Sequence, residues 1–329
     1  MSIATLNVGE WYHGKIYLTK AEIRSTKQNK PYLSCTFYDG EAEYAGNIWE
    51  YVAPTPYKPG VYQIDCTIGE YLGKKQLSNI TLMWDNEQNV TSFARKYIPP
   101  VEVLDPKAWL SHTIHGIEDP AIRSILIEVL DNSFIKETFE TASSAVGMHH
   151  VGIAGNMYHT FEVTDLAVAI TGALLEYGYD VNYDLVTAGA LLHDIGKLLT
   201  YENKVASVEM TLDGILLDHV YLGARQMMST RAAAAYPVTA RLLEHIILSH
   251  HGKKEFGSPV TPCMLEALIV SAADGLSSSV NMAYNAFMKA DNEGCEDPTT
   301  GRIFGLGNVA FLRPSYIKEV LTRDDTTGG

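Results

Sequence analysis

The stretch Ala188-Gly189-Ala190-Leu191-Leu192-His193-Asp194-Ile195-Gly196-Lys197 sets five small or apolar residues directly against a histidine and an acid. A carboxylate in such surroundings costs roughly several kcal/mol unless it is paired, so Asp194 asks for a cation. Asp274 repeats the pattern after Ala267-Leu268-Ile269-Val270-Ser271-Ala272-Ala273. Histidine is concentrated in the same region. Eight of the eleven lie between positions 149 and 251: His149, His150, His159, His193, His219, His245, His250 and His251. Divalent transition metals take imidazole and carboxylate ligands, and one carboxylate bridges two ions through its two oxygens. His159, His193, Asp194, His219, His250, His251 and Asp274 are therefore the candidate ligands, with Asp194 the natural bridge. His245 falls on another helical face from His250 and reads as an ordinary structural histidine. His149 and His150 stand between a supporting or substrate-contacting role and a capping one.

The chain around this stretch is helical, with segments expected over 121–141, 161–177, 183–192, 220–229, 238–249 and 262–289. Asp119-Pro120 opens the first of these as N-cap and N1 proline. The first hundred residues read differently. Ile16-Tyr17-Leu18, 32–37, 44–49, 61–64 and 76–80 are short β-branched and aromatic runs separated by turn residues, the rhythm of a five-stranded barrel. The expected organisation is a barrel domain over 1–90, a linker over 91–118, an all-α domain over 119–320 and a flexible tail over 321–329.

With 46% hydrophobic and 19% charged residues, the 329-residue chain has the composition of a globular protein, not of a disordered one. Its net charge of −14 argues against binding polyanions through a uniformly basic surface. Residues 1–100 hold ten charges of each sign, so the acidic excess belongs to 101–329. A phosphate-handling site there needs bound cations. Four well-separated cysteines without a CxxC motif fit a reducing compartment. No apolar run reaches the roughly 18 residues of a membrane span, so a cytoplasmic protein with no membrane partner is expected.

The stretch 188–197 resembles the signature of HD-domain metal-dependent phosphohydrolases. The segments Leu243-Glu244-His245-Ile246-Ile247-Leu248-Ser249-His250-His251-Gly252, Glu255-Phe256-Gly257-Ser258-Pro259 and Leu265-Glu266-Ala267-Leu268 are similar to the YhaM-type 3′-to-5′ exoribonuclease family. That resemblance implies an N-terminal OB-fold barrel followed by an all-α HD domain. It implies that His159, His193, Asp194 and Asp274 hold one divalent ion, and that His219, His250 and His251 complete a second sharing Asp194. Manganese is the expected metal, with iron, cobalt, magnesium or zinc as alternatives. Lys197 matches the lysine of the HD-x-x-K pattern and is expected, with Asp194, to serve catalysis.

The implied activity is hydrolysis of single-stranded RNA, or single-stranded DNA, from the 3′ end to 5′-mononucleotides by a hydroxide activated between two metals. A homo-oligomer is implied as well. A phosphohydrolase for a small cyclic or linear nucleotide, or an inactive strand-binding protein, are the alternatives. In the barrel, Lys30, Tyr38 and Lys74 are the expected nucleic-acid contacts. Departures from the family pattern include Asp218, which stands before His219 where the family has glycine.

Overall fold

Five segments form strands: β1 (Trp11–Ser25), β2 (Pro31–Tyr38), β3 (Glu43–Trp49), β4 (Gly60–Tyr71) and β5 (Lys74–Trp84). They close into a barrel in the order β1-β2-β3-β5-β4. The computed structural model describes residues 3–49, 51, 55–93, 97, 99–100, 105–145, 149–204, 208–292 and 294–327.

Closure depends on the length of β1. Its first half pairs antiparallel with β4, from Trp11↔Thr67 to Leu18↔Gly60, and its second half pairs with β2. An irregularity between Leu18 and Lys20 lets the strand turn from one partner to the other. The last seam is a short parallel contact, Ala45↔Gln76 and Gly46↔Leu77. Gly46 permits it, because a Cβ there would lie 2.5 Å from Ile80 Cδ1 and 3.1 Å from the Leu77 carbonyl. Alternating residues such as Ile16, Leu18, Leu33, Cys35, Phe37, Ile64, Cys66, Ile68 and Leu77 fill the interior. The barrel is the OB-like architecture expected, with strands longer than the sequence runs suggested.

The remainder is helical: α1 (Pro106–His115), α2 (Pro120–Leu130), α3 (Ser133–Phe139), α4 (Gly155–Glu176), α5 (Tyr183–Leu192), α6 (Lys197–Thr200), α7 (Leu212–Leu217), α8 (His219–Met228), α9 (Arg231–Ala235), α10 (Pro237–Ser249), α11 (Leu265–Asn292) and α12 (Pro314–Thr327). A two-stranded sheet of Tyr201–Asn203 and Val208–Met210 lies between α6 and α7. By its contacts the chain divides into two compact units, Met1–Lys96 with Asn203–Ser207 and Tyr97–Glu202 with Val208–Gly329.

Three features depart from the sequence reading. The stretch expected to link the domains contains α1, capped by the Asp105 side chain on Ala108 N, with Trp109 against Phe161 at 4.2 Å between ring centroids. Positions 94–96, 98 and 101–104 of that stretch lie outside the described residues. The helix expected over 121–141 breaks after Leu130, because Asn132 accepts from Phe134 N and Ile135 N and caps a new helix. Residues 321–327 of the expected tail continue α12, and 328–329 lie outside the described residues.

The helical core is built by α2, α4, α5, α10 and α11. Every residue of α5 from Leu185 to Leu192 is buried. Among the described residues no helix is long and apolar enough to cross a membrane.

Candidate metal centre

The buried helix α5 ends at His193, and Asp194 follows with 1% exposure. Four other elements bring partners to this point. His159 sits in the second turn of α4, His219 opens α8, His250 and His251 follow α10, and Asp274 lies on α11. Two glycines make the approach possible. A Cβ on Gly196 would stand 1.9 Å from the His219 carbonyl, and one on Gly155 would stand 1.7 Å from the His150 carbonyl. Backbone therefore packs directly on backbone at both places.

All seven expected ligands come together. His159 Nε2 and His193 Nε2 each lie 3.2 Å from Asp194 Oδ2. His219 Nε2 and His250 Nε2 each lie 3.6 Å from Asp194 Oδ1. Asp274 Oδ1 is 3.2 Å from His159 Nε2 and 4.0 Å from His193 Nε2. His251 Nε2 is 3.3 Å from His219 Nε2. The two oxygens of Asp194 thus face two separate sets of imidazoles. Among the described residues, His159, His193 and Asp194 form one compact group of potential ligands, His219, His250 and His251 a second, and His149, His150 and His159 a third.

The outer ring nitrogens fix which atom faces inward. Nδ1 of His193 donates to the Ala190 carbonyl at 2.7 Å, that of His250 to the Ile247 carbonyl at 2.7 Å, and that of His251 to the Phe256 carbonyl at 2.9 Å. His159 Nδ1 meets Ser277 Oγ at 3.1 Å, and the Ser277 hydroxyl donates to Glu162. His219 Nδ1 meets the Asp218 carboxylate at 2.9 Å. With each Nδ1–H committed outward, each Nε2 turns a lone pair to the centre.

This donor set fits divalent cations. The Nε2 atoms of His159 and His193 stand 3.3 Å apart, as do those of His219 and His251. Oδ1 of Asp194 and Nε2 of His250 are buried without a hydrogen-bond partner, while Oδ2 is faced by two imidazole nitrogens and the Lys197 ammonium. Orphaned acceptors are costly in a native interior, and a cation between them removes that cost. His159, His193, Asp194 and Asp274 on one side, and Asp194, His219, His250 and His251 on the other, are the residues able to hold two.

Lys197 contributes the local positive charge. The residue is 5% exposed, and its ammonium lies 2.6 Å from Asp194 Oδ2 and 3.4 Å from Ser144 Oγ. Burial pushes the Asp194 carboxyl up, but Lys197 and the imidazoles outweigh it and hold the group well below the usual carboxylate range. Asp274 behaves alike, with His159 its main partner. Burial, followed by the charges of Lys197 and His159, lowers His149 to about 2. His150 falls to about 4 for the same first reason. Both are neutral at physiological pH.

His149 and His150 stand beside the centre, with the His149 ring 5.0 Å from that of His159. His150 is buried, its Nε2 3.0 Å from Glu162 Oε2 and its backbone N–H donating to Asn281 Oδ1. His245 lies apart and accepts from the Cys263 N–H at 3.1 Å.

The sequence reading missed Glu162, Ser277, Asn281 and the orienting contact of Asp218. A signal existed for the first three. Glu162 is three residues after His159, and Ser277 and Asn281 continue the face of Asp274 at helical spacing.

The three residues expected to contact nucleic acid are not equivalent. Lys30 and Lys74 are exposed at turns of the barrel. Tyr38 is not available for stacking and must be corrected. It points out of the barrel but is 3% exposed, packed with Val61 and Phe93, and its hydroxyl donates to the Gly40 carbonyl.

Residues 156–279 match the HD domain family model, an interval that contains all seven candidate ligands. This part of the chain is an HD domain. The whole chain is 28% identical over 325 residues to the 3′-5′ exoribonuclease YhaM of Oceanobacillus iheyensis, an alignment covering 95% of this chain and 97% of that protein. The similarity therefore runs through the barrel as well as the HD domain. No solved structure matches the chain.

Proposed function

We propose that the protein is a metal-dependent 3′-to-5′ exonuclease that hydrolyses single-stranded RNA to 5′-mononucleotides. The observation that carries this reading is the ring of inward Nε2 atoms around the two buried oxygens of Asp194, in a chain similar along almost its full length to an exoribonuclease. Manganese suits the nitrogen-and-oxygen donor set, as do iron, cobalt, magnesium and zinc. When bound, two such cations supply Lewis acidity, making water acidic near neutral pH and neutralising phosphate oxygens.

The protein's own groups prepare for that chemistry. Lys197 keeps Asp194 ionised, so that both of its oxygens remain acceptors. Outward anchors on the imidazoles hold the Nε2 atoms in place without reorganisation. His149, neutral and beside His159, is positioned to orient a phosphodiester at the rim. We assign strand affinity to a domain over 1–90 and hydrolysis to 119–320. Four free cysteines support a reducing, cytoplasmic setting.

The test uses a 5′-labelled RNA strand with a free 3′ hydroxyl, in manganese with and without chelator, beside a cyclic dinucleotide and a nucleoside triphosphate. A ladder shortening from the 3′ end is expected. Asp194→Asn should lower the rate about a hundredfold or more and reduce bound metal. Turnover of the small compounds alone would replace this reading with a small-nucleotide phosphohydrolase.

A further inference from the structure

Behind His159 a single carboxylate oxygen serves two lines of histidines. The Ser277 hydroxyl donates to Glu162 Oε2 at 2.7 Å, and His150 Nε2 lies 3.0 Å from the same atom. Burial raises the Glu162 carboxyl, but His150 and Ser277 outweigh it and hold the group below its ordinary value. An ionised carboxylate only accepts, so both partners must donate. Each proton placed by that demand decides the next. The donating Ser277 hydroxyl keeps its lone pairs for the His159 Nδ1–H at 3.1 Å, and His159 is left with a bare Nε2 toward Asp194. His150, with its one proton on Nε2, has a bare Nδ1. That atom stands 3.3 Å from His149 Nδ1, a contact that is a hydrogen bond between neutral rings only when His149 carries its proton there. His149 Nε2 is then bare as well.

The backbone is bent to bring these rings together. His150 has φ 46°, in the left-handed region that costs a residue other than glycine about 1–3 kcal/mol. Successive side chains of an extended segment point to opposite sides, yet the His149 and His150 rings both have centroids 5.0 Å from that of His159. Several contacts hold the bend. Asn281 Oδ1 accepts the His150 N–H at 2.9 Å while its amide donates to the Tyr97 hydroxyl at 2.7 Å. The Ser144 N–H donates to the His150 carbonyl at 3.3 Å, and the Tyr97 ring lies 4.9 Å from the His150 imidazole. Strain kept in place by this many partners, beside a cluster of donor nitrogens, marks a segment whose side-chain placement is used.

We infer that Glu162 is a positioning residue that sets the protons of His159, His150 and His149 from one oxygen, so that the ion set of His159, His193, Asp194 and Asp274 and the His149–His150 pair are oriented together. The second set has its own anchors at Asp218 and at the carbonyls of Ile247 and Phe256. The inference deepens the proposed metal chemistry and rests on it for the purpose of the arrangement, whereas the proton positions are read without metal.

The experiment takes proton–nitrogen correlation spectra of the full chain, labelled in its imidazoles and kept in chelator, which separate the two neutral tautomers of each histidine. The wild type should carry the proton on Nδ1 of His159 and His149 and on Nε2 of His150. Glu162→Ala should mix the tautomers of His150 and His149, and Glu162→Gln, whose amide oxygen accepts from both donors, should keep them. In a calorimetric titration of the metal-free protein with manganese, Glu162→Ala should weaken the ion of the His159 set about tenfold and leave that of the His219 set at its wild-type affinity. Wild-type tautomers at all three histidines in Glu162→Ala would overturn the inference, as would equal weakening of both ions. Fixed tautomers in a wild type that hydrolyses no RNA would leave Glu162 in its role and end the nuclease reading.

Discussion

Asp218 adopts φ 65° and ψ 153°, a backbone region that glycine enters freely and other residues occupy at about 1–3 kcal/mol. Its side chain explains why an acid is kept there. One carboxylate oxygen caps α8 through Val220 N at 3.0 Å and also meets His219 Nδ1 at 2.9 Å. The hydrogen bond to His219 leads in lowering its pKa to about 2, so Asp218 offers His219 a charged acceptor throughout the physiological range. The other four imidazoles lean on neutral carbonyls or a hydroxyl, which makes His219 the most electron-rich donor of the set. Asp218→Gly should therefore stabilise the metal-free protein slightly, raising Tm by a few degrees. The same variant should weaken the ion held by His219, His250 and His251 about tenfold in a calorimetric metal titration. Unchanged affinity for both ions would remove Asp218 from the orienting role. At this scale the residues that come together were legible because acids and imidazoles interrupt apolar runs. Asp218 drew notice only as a departure, since its φ is invisible in a string of letters.

Elements meet here at glycines. The turn after Asp194 and the start of α8 touch at Gly196, where a Cβ would also lie 2.5 Å from Gly223 N. Since the opposing atoms are backbone, no side-chain rotation relieves the clash. Gly196→Ala is expected to cost about 3 kcal/mol in urea unfolding and to weaken the His219 metal set, because α8 must move. Full stability in that variant would show that the two elements are free to separate. Helix existence was readable from periodicity and caps, as Asp119-Pro120 shows for α2. Helix boundaries were not. Helix α1 stands beyond the proline pair Pro99-Pro100 in a stretch with little apolar pattern of its own, and its place comes from Trp109, Leu110 and Ile114 packing on the main core. The break at Asn132 had a local signal, an Asn-Ser start, that the continuous apolar stripe of α2 obscured.

For the whole molecule, the acidic excess and the candidate metal ligands fall in the same part of the chain, and among the described residues the barrel holds no such ligand group. Ions that bind only the folded helical unit stabilise it by mass action, about 2.7 kcal/mol per site at a hundred times Kd. Scanning calorimetry with manganese and then chelator should move one unfolding transition and leave that of the barrel in place. Equal movement of both would reject the placement of the ions in the helical unit alone. The sequence by itself determined the local pieces: five strands with turns between them, a run of helices, and imidazoles and acids set where burial demands a cation. Tertiary structure alone decided that residues from His159 to Asp274 gather around the Asp194 carboxylate and that Tyr38 is covered. The reason is physical. Periodicity records which face of an element is apolar, whereas the neighbour that fills it is chosen by shape, by backbone approach at Gly46, Gly155 and Gly196, and by pairings distant in the chain.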